Sequence, residues 1–220
     1  MGLCLALNGA SRLSGVWVVR DGAVVSGESA EAERGQAQWL ASAADRVLRK
    51  AGLAVTSLDL IAVTVGPGSF TGIRAALALA HGLALGTGRP LVGVTVGEAV
   101  AEEVELAPGR VLWVASDSRR GRVFLERDGT AEAYELDALP VPDEPVAVAG
   151  EQAISVMAAW AARNIDVQLL ESRGPGAVGI ERAALGRLRG SLSPRAAQPL
   201  YVDPPEARIP PGGYRPAPVG

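Results

Sequence analysis

Apolar residues follow two arrangements along this chain: short unbroken runs between glycines, prolines and aspartates, and longer stretches where they recur about every three or four positions. The first arrangement predicts strands and the second predicts helices. Leu3–Asn8 is an unbroken run and reads as a buried strand. Gly15–Arg20 and Val24–Glu28 flank Asp21-Gly22, a strong turn signal, and read as a hairpin. Gln36–Ala51 places Leu40, Ala44, Val47 and Leu48 on one face, with Gly52 beyond its end, and reads as an amphipathic helix. Leu60–Val65 is the next strand, 72–86 a helix, Leu91–Val94 a strand and Val96–Leu106 a helix. Meander strands followed by strand–helix units predict a mixed sheet with helices on its faces.

Pro108-Gly109 breaks the pattern, and a similar order then returns. Arg110–Ser116 and Arg122–Arg127 read as strands around Asp117-Ser118-Arg119-Arg120-Gly121, with a third strand near Ala131–Leu136. A proline-bearing loop at 140–145 precedes a strand at Val146–Ala149, a helix at Glu151–Arg163, a strand at Val167–Leu170 and a helix at Ile180–Arg189. Two similar halves point to a duplicated α/β fold, although no residue-level repeat is visible. The expected division is a domain at 1–107 and a smaller one at 108–220. The chain from Pro199 is proline-rich, with a tail at about 203–220, and needs no fixed structure.

Gly66-Pro67-Gly68-Ser69-Phe70-Thr71-Gly72-Ile73-Arg74 joins a strand to a helix without a spacer. Gly66 and Gly68 permit backbone angles closed to other residues, and Pro67 fixes one φ. Ser69 or Thr71 can cap the helix. Such a turn builds either an anion site or a tightly packed junction. It lacks the lysine and following Ser or Thr of a P-loop, and the Gly-x-Ser-x-Gly of a nucleophile elbow. The only histidine, His81, is twelve residues from Ser69 on the same helix, roughly 18 Å away at the helical rise, so no Ser–His pair forms between them.

The helix 72–86 carries only Arg74 and His81 as polar side chains. A helix apolar on all sides is expected to be buried on all sides. Ala75, Ala78, Gly82 and Gly86 would let another helix approach closely. Its outer side is therefore expected to be covered, by a second protein chain or by the helix Gln36–Ala51.

Composition narrows the function classes. The chain has 220 residues, 48% hydrophobic and 20% charged, enough for one large or two small domains with cores. A net charge of −3 argues against a stand-alone nucleic-acid binder. The single cysteine, Cys4, excludes an internal disulfide and fits a reducing compartment. The apolar N-terminal run is too short for a leader or a membrane span, so a soluble, cytoplasmic protein is expected. One histidine excludes clustered His–Cys metal ligation. Glu102-Glu103-Glu105 lie together on a predicted helix and read as a solvated face.

The residues from Leu60 to Glu98 resemble the TsaB (YeaZ) family, bacterial subunits of the complex that makes threonylcarbamoyladenosine in tRNA. The family signature is close to Gly-Pro-Gly-Ser-Phe-Thr-Gly-x-Arg, a small-residue helix and a Pro-x-x-Gly-Val strand. This chain supplies 66–74, Gly82-Leu83-Ala84-Leu85-Gly86 and Pro90-Leu91-Val92-Gly93-Val94. Asp117-Ser118-Arg119-Arg120-Gly121-Arg122-Val123-Phe124 resembles the family's Asp-Ala-Arg-Arg-x-Glu-Val-Tyr. Pro199-Leu200-Tyr201 resembles its C-terminal Pro-Leu-Tyr. The resemblance spans most of the chain and is most specific at the nonapeptide.

The resemblance implies an α/β fold of the actin-like, sugar-kinase-like (ASKHA) class, a duplicated ribonuclease-H-like fold with mixed sheets and helices on their faces. It implies a non-catalytic scaffold for threonylcarbamoylation of the adenosine next to the anticodon in tRNAs reading codons that start with A. The implied partners are a TsaD-like catalytic subunit and a TsaE-like ATPase, with a homodimer when alone, tRNA reached only through the complex, and no membrane. The implied partner interface comprises Ser69, Phe70, Thr71, Arg74, Ala75, Ala78, Leu79 and Gly82. No catalytic residue, metal or cofactor is implied, with room left for a weak nucleotide at the partner interface.

Departures matter. Family members and ATPases of this fold begin with an Asp-Thr or similar pair after strand one, where this chain has Asn8-Gly9-Ala10. An amide cannot supply a carboxylate's charge to Mg²⁺. The family's usual histidine near Gln36 is absent, and His81 stands where many members have Lys. The competing readings are a diverged small-molecule kinase or ATPase, or a paralogue with another partner. The first would need a second phosphate loop, for which Gly174-Pro175-Gly176 is a weak candidate. A peptidase, a historical label for this fold group, would need ligands or a Ser–His arrangement. Direct tRNA binding through Arg119, Arg120 and Arg122 would be salt-sensitive.

Overall fold

A computed structural model describes residues 2–31 and 35–202. The first sheet contains β1 (Leu3–Asn8), β2 (Leu13–Arg20), β3 (Ala23–Glu31), β4 (Leu60–Gly66) and β5 (Leu91–Thr95), in the order β3-β2-β1-β4-β5. β1 runs antiparallel to β2 and parallel to β4, and β4 runs parallel to β5. The second sheet contains β6 (Val111–Asp117), β7 (Val123–Arg127), β8 (Thr130–Tyr134), β9 (Val146–Ala149) and β10 (Val167–Leu169). Its order, read from the other edge, is β8-β7-β6-β9-β10, again with two antiparallel and two parallel pairings. Both halves thus use one topology, the duplicated α/β actin-like fold that the resemblance implies.

The helices are α1 (Gln36–Lys50), α2 (Phe70–Thr87), α3 (Val96–Ala101), α4 (Ala153–Ala161) and α5 (Ala177–Arg189). β4 is buried at every position, which explains its unbroken apolar run. α1 and α2 cover one face of the first sheet, where Leu40, Val47, Ile73 and Ala76 meet Leu5, Leu7, Ile61 and Val63. α5 covers the other face, with Ile180, Ala183 and Ala184 against Cys4, Ala6, Ala62 and Val94. α4 packs on the second sheet around Trp160, whose indole N–H donates to the Pro140 carbonyl at 2.9 Å. Burial pushes the Cys4 thiol pKa up, with nearby Glu181 adding to the effect, so Cys4 is an inert core residue.

Several expectations change. The division at residue 107 follows the order of the sheets, but α5 crosses it and supplies core to the first sheet. The helix expected over Val96–Leu106 stops at Ala101. Acidic residues beyond that point would oppose the helix dipole at a C-terminus. One of them, Glu103, turns away and accepts from the backbone N–H groups of Gly176 at 2.9 Å and Gly179 at 2.7 Å. Glu102, Glu103 and Glu105 are all exposed, as expected, but they do not share one helix, and Glu103 caps α5. The segment from Pro199 is not free either. Leu200 N–H donates to the Val65 carbonyl at 2.8 Å, which docks this segment beside β4. The tail at 203–220 lies outside the described residues.

Candidate functional site

The nonapeptide sits at the C-terminal end of β4 over a buried polar knot. Gly66 and Gly68 have φ of 121° and 146°, and the Gly66–Pro67 peptide is cis. The Ser69 side chain accepts from Gly72 N–H at 3.2 Å and caps α2, as its position predicts. Ser69 N–H donates to the Ala10 carbonyl at 2.8 Å. Gly72 faces Gly9 so closely that a Cβ on Gly72 would lie 2.0 Å from the Gly9 carbonyl oxygen. A Cβ on Gly68 would lie 2.2 Å from the Ala10 carbonyl oxygen. Of the two outcomes open to such a turn, this one is a tightly packed junction.

Asn8 lies beneath it, 1% exposed. Its Oδ1 accepts from Ala10 N–H at 3.1 Å and from the Thr64 hydroxyl at 3.0 Å, and its Nδ2 donates to the Leu13 carbonyl at 3.1 Å. Gln36, near the position where the family usually has a histidine, donates to Ser14 Oγ and to the Gly9 carbonyl. Both amides are committed to holding the β1–β2 turn. At the Gly174-Pro175-Gly176 turn, the Glu103 carboxylate already occupies the start of α5. Among the described residues, no group of three or more His, Cys, Asp or Glu could hold a metal ion. No described helix is long and apolar enough to cross a membrane.

Above the knot a cleft of about 410 Å³ opens between the two sheets' halves. It joins motifs far apart in sequence: Ser69, Phe70, Thr71 and Arg74 from the start of α2, Ser118 to Arg120 from the β6–β7 loop, Phe124 from β7, and Leu200 to Val202. The Arg74 guanidinium lies 3.7 Å from the Phe70 ring centroid and donates twice to the Tyr201 hydroxyl, at 3.0 and 2.8 Å. The Phe70 and Tyr201 rings are 5.8 Å apart, and both residues are about half exposed, at 52% and 50%. This stack presents an aromatic and cationic surface to solvent.

The β6–β7 loop is held by its own side chains. Asp117 accepts from Arg119 N–H at 2.8 Å and pairs with the Arg119 guanidinium at 3.6 Å. Ser118 Oγ accepts from Arg120 and Arg122 N–H groups and donates to the Arg122 carbonyl at 2.6 Å. The arginines here belong to a hydrogen-bonded loop on the cleft's rim.

The eight predicted interface residues fall into three groups. Ser69, Phe70, Thr71 and Arg74 line the cleft. Ala78 and Gly82 lie on the exposed face of α2. Ala75 and Leu79 are half-buried and pack against the first core. Of the two covers expected for the outer side of α2, α1 is not the one. α1 packs against one side, while Ala78, His81, Gly82 and Leu85 face out, with Leu85 88% exposed. A Cβ added at Gly82 or Gly86 meets nothing within 4 Å. His81 Nε2 lies 2.8 Å from the Ala197 carbonyl and ties the returning segment to this helix.

Sequence reasoning missed the charged groups at the seam between the halves. Glu126, on β7, is 1% exposed. It accepts from the Thr95 hydroxyl and from Gly97 N–H at 2.7 Å. Burial pushes its pKa up to about 7, with the Thr95 and Gly97 bonds working the other way. Beside it Glu98 closes a capping box on α3 and pairs with Arg187 of α5 at 2.5 Å, both largely buried. The available signal was a carboxylate spaced two residues from Phe124, hence on the same face, in a strand that opens with three apolar residues.

Comparison with known proteins agrees with this architecture. The family model "TsaD: tRNA N6-adenosine threonylcarbamoyltransferase" matches residues 29–165, more than half of the chain. A tRNA N6-adenosine threonylcarbamoyltransferase of Cereibacter sphaeroides is 51% identical over 63 residues, 29% of this chain and 17% of the relative. The tRNA threonylcarbamoyladenosine biosynthesis protein TsaB of Escherichia coli is 36% identical over 104 residues, 44% of this chain and 45% of the relative. The matches thus span less than half the length of these curated relatives. The solved structure of YeaZ from Pseudomonas aeruginosa superposes with a TM-score of 0.69 at 24% identity, covering 91% of this chain and 100% of that one, and so shares its fold. With the family model across its middle, the nonapeptide at the head of α2 and two sheets of one topology, the chain belongs to the tRNA N6-adenosine threonylcarbamoyltransferase (TsaD) family, among its TsaB/YeaZ members.

Proposed function

We propose that this chain is a non-catalytic scaffold subunit in the synthesis of threonylcarbamoyladenosine in tRNA. It binds and supports a TsaD-like catalytic subunit that modifies the adenosine next to the anticodon in tRNAs reading codons that start with A. A TsaE-like ATPase joins that assembly, and tRNA is met only through it. In isolation the same surface pairs with a second copy. The chain works in the cytoplasm without a cofactor of its own. The observation that carries the reading is the outer face of α2, where small and apolar residues stand uncovered beside the nonapeptide. The commitment of Asn8 to three internal hydrogen bonds supports it against the kinase or ATPase alternative, because no carboxylate is offered at that strand end.

Reconstitution tests the proposal. Purified TsaD-like and TsaE-like subunits, a threonylcarbamoyl-adenylate supply and tRNA are combined with and without this chain. Modified adenosine is expected only when the chain is present, and equal modification in its absence would overturn the scaffold role. The surface has its own test. Ala78→Arg or Gly82→Arg puts a long cation where a partner helix would approach, at positions open to solvent in the free chain. Binding to the TsaD-like subunit is expected to weaken at least about 100-fold, as for a charge buried in an interface core, with the unfolding midpoint not lowered. Unaltered binding would place the interface elsewhere.

A further inference from the structure

We infer that Glu126 is the positioning residue that holds the two halves closed over the cleft, and that its protonation state sets how far the cleft opens. The inference stands on the seam's geometry and does not depend on the partner assigned above.

Glu126 crosses the seam: it belongs to β7 of the second sheet, while both of its donors, the Thr95 hydroxyl and Gly97 N–H, belong to the β5–α3 junction of the first half. The fit leaves no slack, since a Cβ on Gly97 would lie 2.5 Å from the Glu126 carboxyl carbon. Phe124, two residues before Glu126 on the same strand face, lines the cleft. A shift of β7 at Glu126 therefore moves a wall of the cleft.

The charged surroundings decide the direction. Glu98 on α3 repels a second negative charge, and its own charge is already matched by Arg187 of α5. Arg195 attracts the ionised form, but it also faces Glu98, at 3.7 Å, and it donates to the Gly129 carbonyl. The strand neighbours in register, Val114 on β6 and Ala131 on β8, carry no charge. Burial outweighs the two donated bonds and Arg195, so the carboxyl pKa is raised to about 7. An acid whose folded pKa is raised stabilises the folded arrangement most fully below the ordinary glutamate range. That contribution is lost as pH rises through about 7. Ionised, the carboxylate draws water into the seam, and the halves separate.

Paired nitroxide labels at Leu85→Cys and Val141→Cys, one exposed site on each half, report the separation by electron–electron resonance in the isolated chain. The buried Cys4 leaves the introduced pair as the labelled sites. The wild-type chain is expected to give one narrow distance at pH 5.5 and a broader, longer distribution at pH 8.5. Glu126→Gln, neutral at both pH values, keeps the narrow distance throughout. Gly97→Ala, which wedges the seam, gives the longer distribution at both. A wild-type distance that ignores pH, a Glu126→Gln chain that retains the full pH response, or a Gly97→Ala chain that matches wild type would each overturn the inference.

Discussion

Gly72→Ala is expected to lower the stability of this chain by about 2 kcal/mol, while Gly82→Ala, ten residues further along the same helix, raises it by up to about 1 kcal/mol. Intrinsic helix propensity favours alanine at both positions by about 1 kcal/mol, so the difference comes from what the new methyl group meets. At Gly82 it meets nothing within 4 Å. At Gly72 it would lie 2.0 Å from the Gly9 carbonyl oxygen and 2.6 Å from Gln36 Nε2. Gln36 could swing aside. The Gly9 carbonyl cannot, because Asn8 and Ala10 hold that turn from below. Overpacking against a fixed backbone typically costs about 1–3 kcal/mol and occasionally more, so it outweighs the propensity gain. Urea unfolding of the two variants checks the pair. A Gly72→Ala midpoint at or above wild type would show that the β1–β2 turn yields, and that the junction is not the rigid base of the cleft.

Much of the fold was legible because burial on both faces leaves a strong pattern. The unbroken run Leu60–Val65 became β4, buried throughout, and the apolar stripe of Leu40, Ala44, Val47 and Leu48 became the inner face of α1. Asp21-Gly22 gave the hairpin, with Asp21 and Gly22 both at positive φ. The nonapeptide was legible as a junction because two glycines and a capping serine have few other uses in that order. What failed was long-range. Nothing in 177–189 says which sheet it will cover, because a half-apolar helix suits either half. The cap that Glu103 places on α5 was invisible because its partners, the Gly176 and Gly179 amides, carry no signal in sequence.

The cleft shows the same limit. Phe70 and Arg74 were visible as part of the motif, and Tyr201 as part of a C-terminal one. That Arg74 sits against Phe70 and donates to Tyr201 depends on a chain reversal that returns residue 200 to β4. Glu126 was the hardest to see, since a lone carboxylate in a strand usually marks a solvent face. Here two donors from the other half make burial tolerable.

Asn8→Asp, the substitution that restores the acidic residue common after strand one in ATPases of this fold, is expected to destabilise the chain without creating Mg-ATP binding. The amide is 1% exposed, and its Nδ2 donates to the Leu13 carbonyl at 3.1 Å. A carboxylate would put an acceptor against that carbonyl and a charge where water does not reach. Leaving a buried group mismatched costs about 1–3 kcal/mol, and more when it is charged, so a loss of about 3 kcal/mol is expected at pH 8. Protonation relieves the mismatch, because the neutral acid can donate to Leu13. The buried aspartate therefore has its pKa raised above the unfolded value. Its penalty is small below the ordinary aspartate range and grows as pH rises through the raised pKa. Thermal melts of Asn8→Asp and wild type at pH 5 and pH 8, each with and without millimolar Mg-ATP, separate the two roles open to this position. A deficit that widens at pH 8 and ignores the nucleotide identifies residue 8 as a structural amide. A Mg-ATP-dependent rise in the variant's melting temperature would instead mean that the strand end still holds the geometry of a nucleotide site and lacks only its charge.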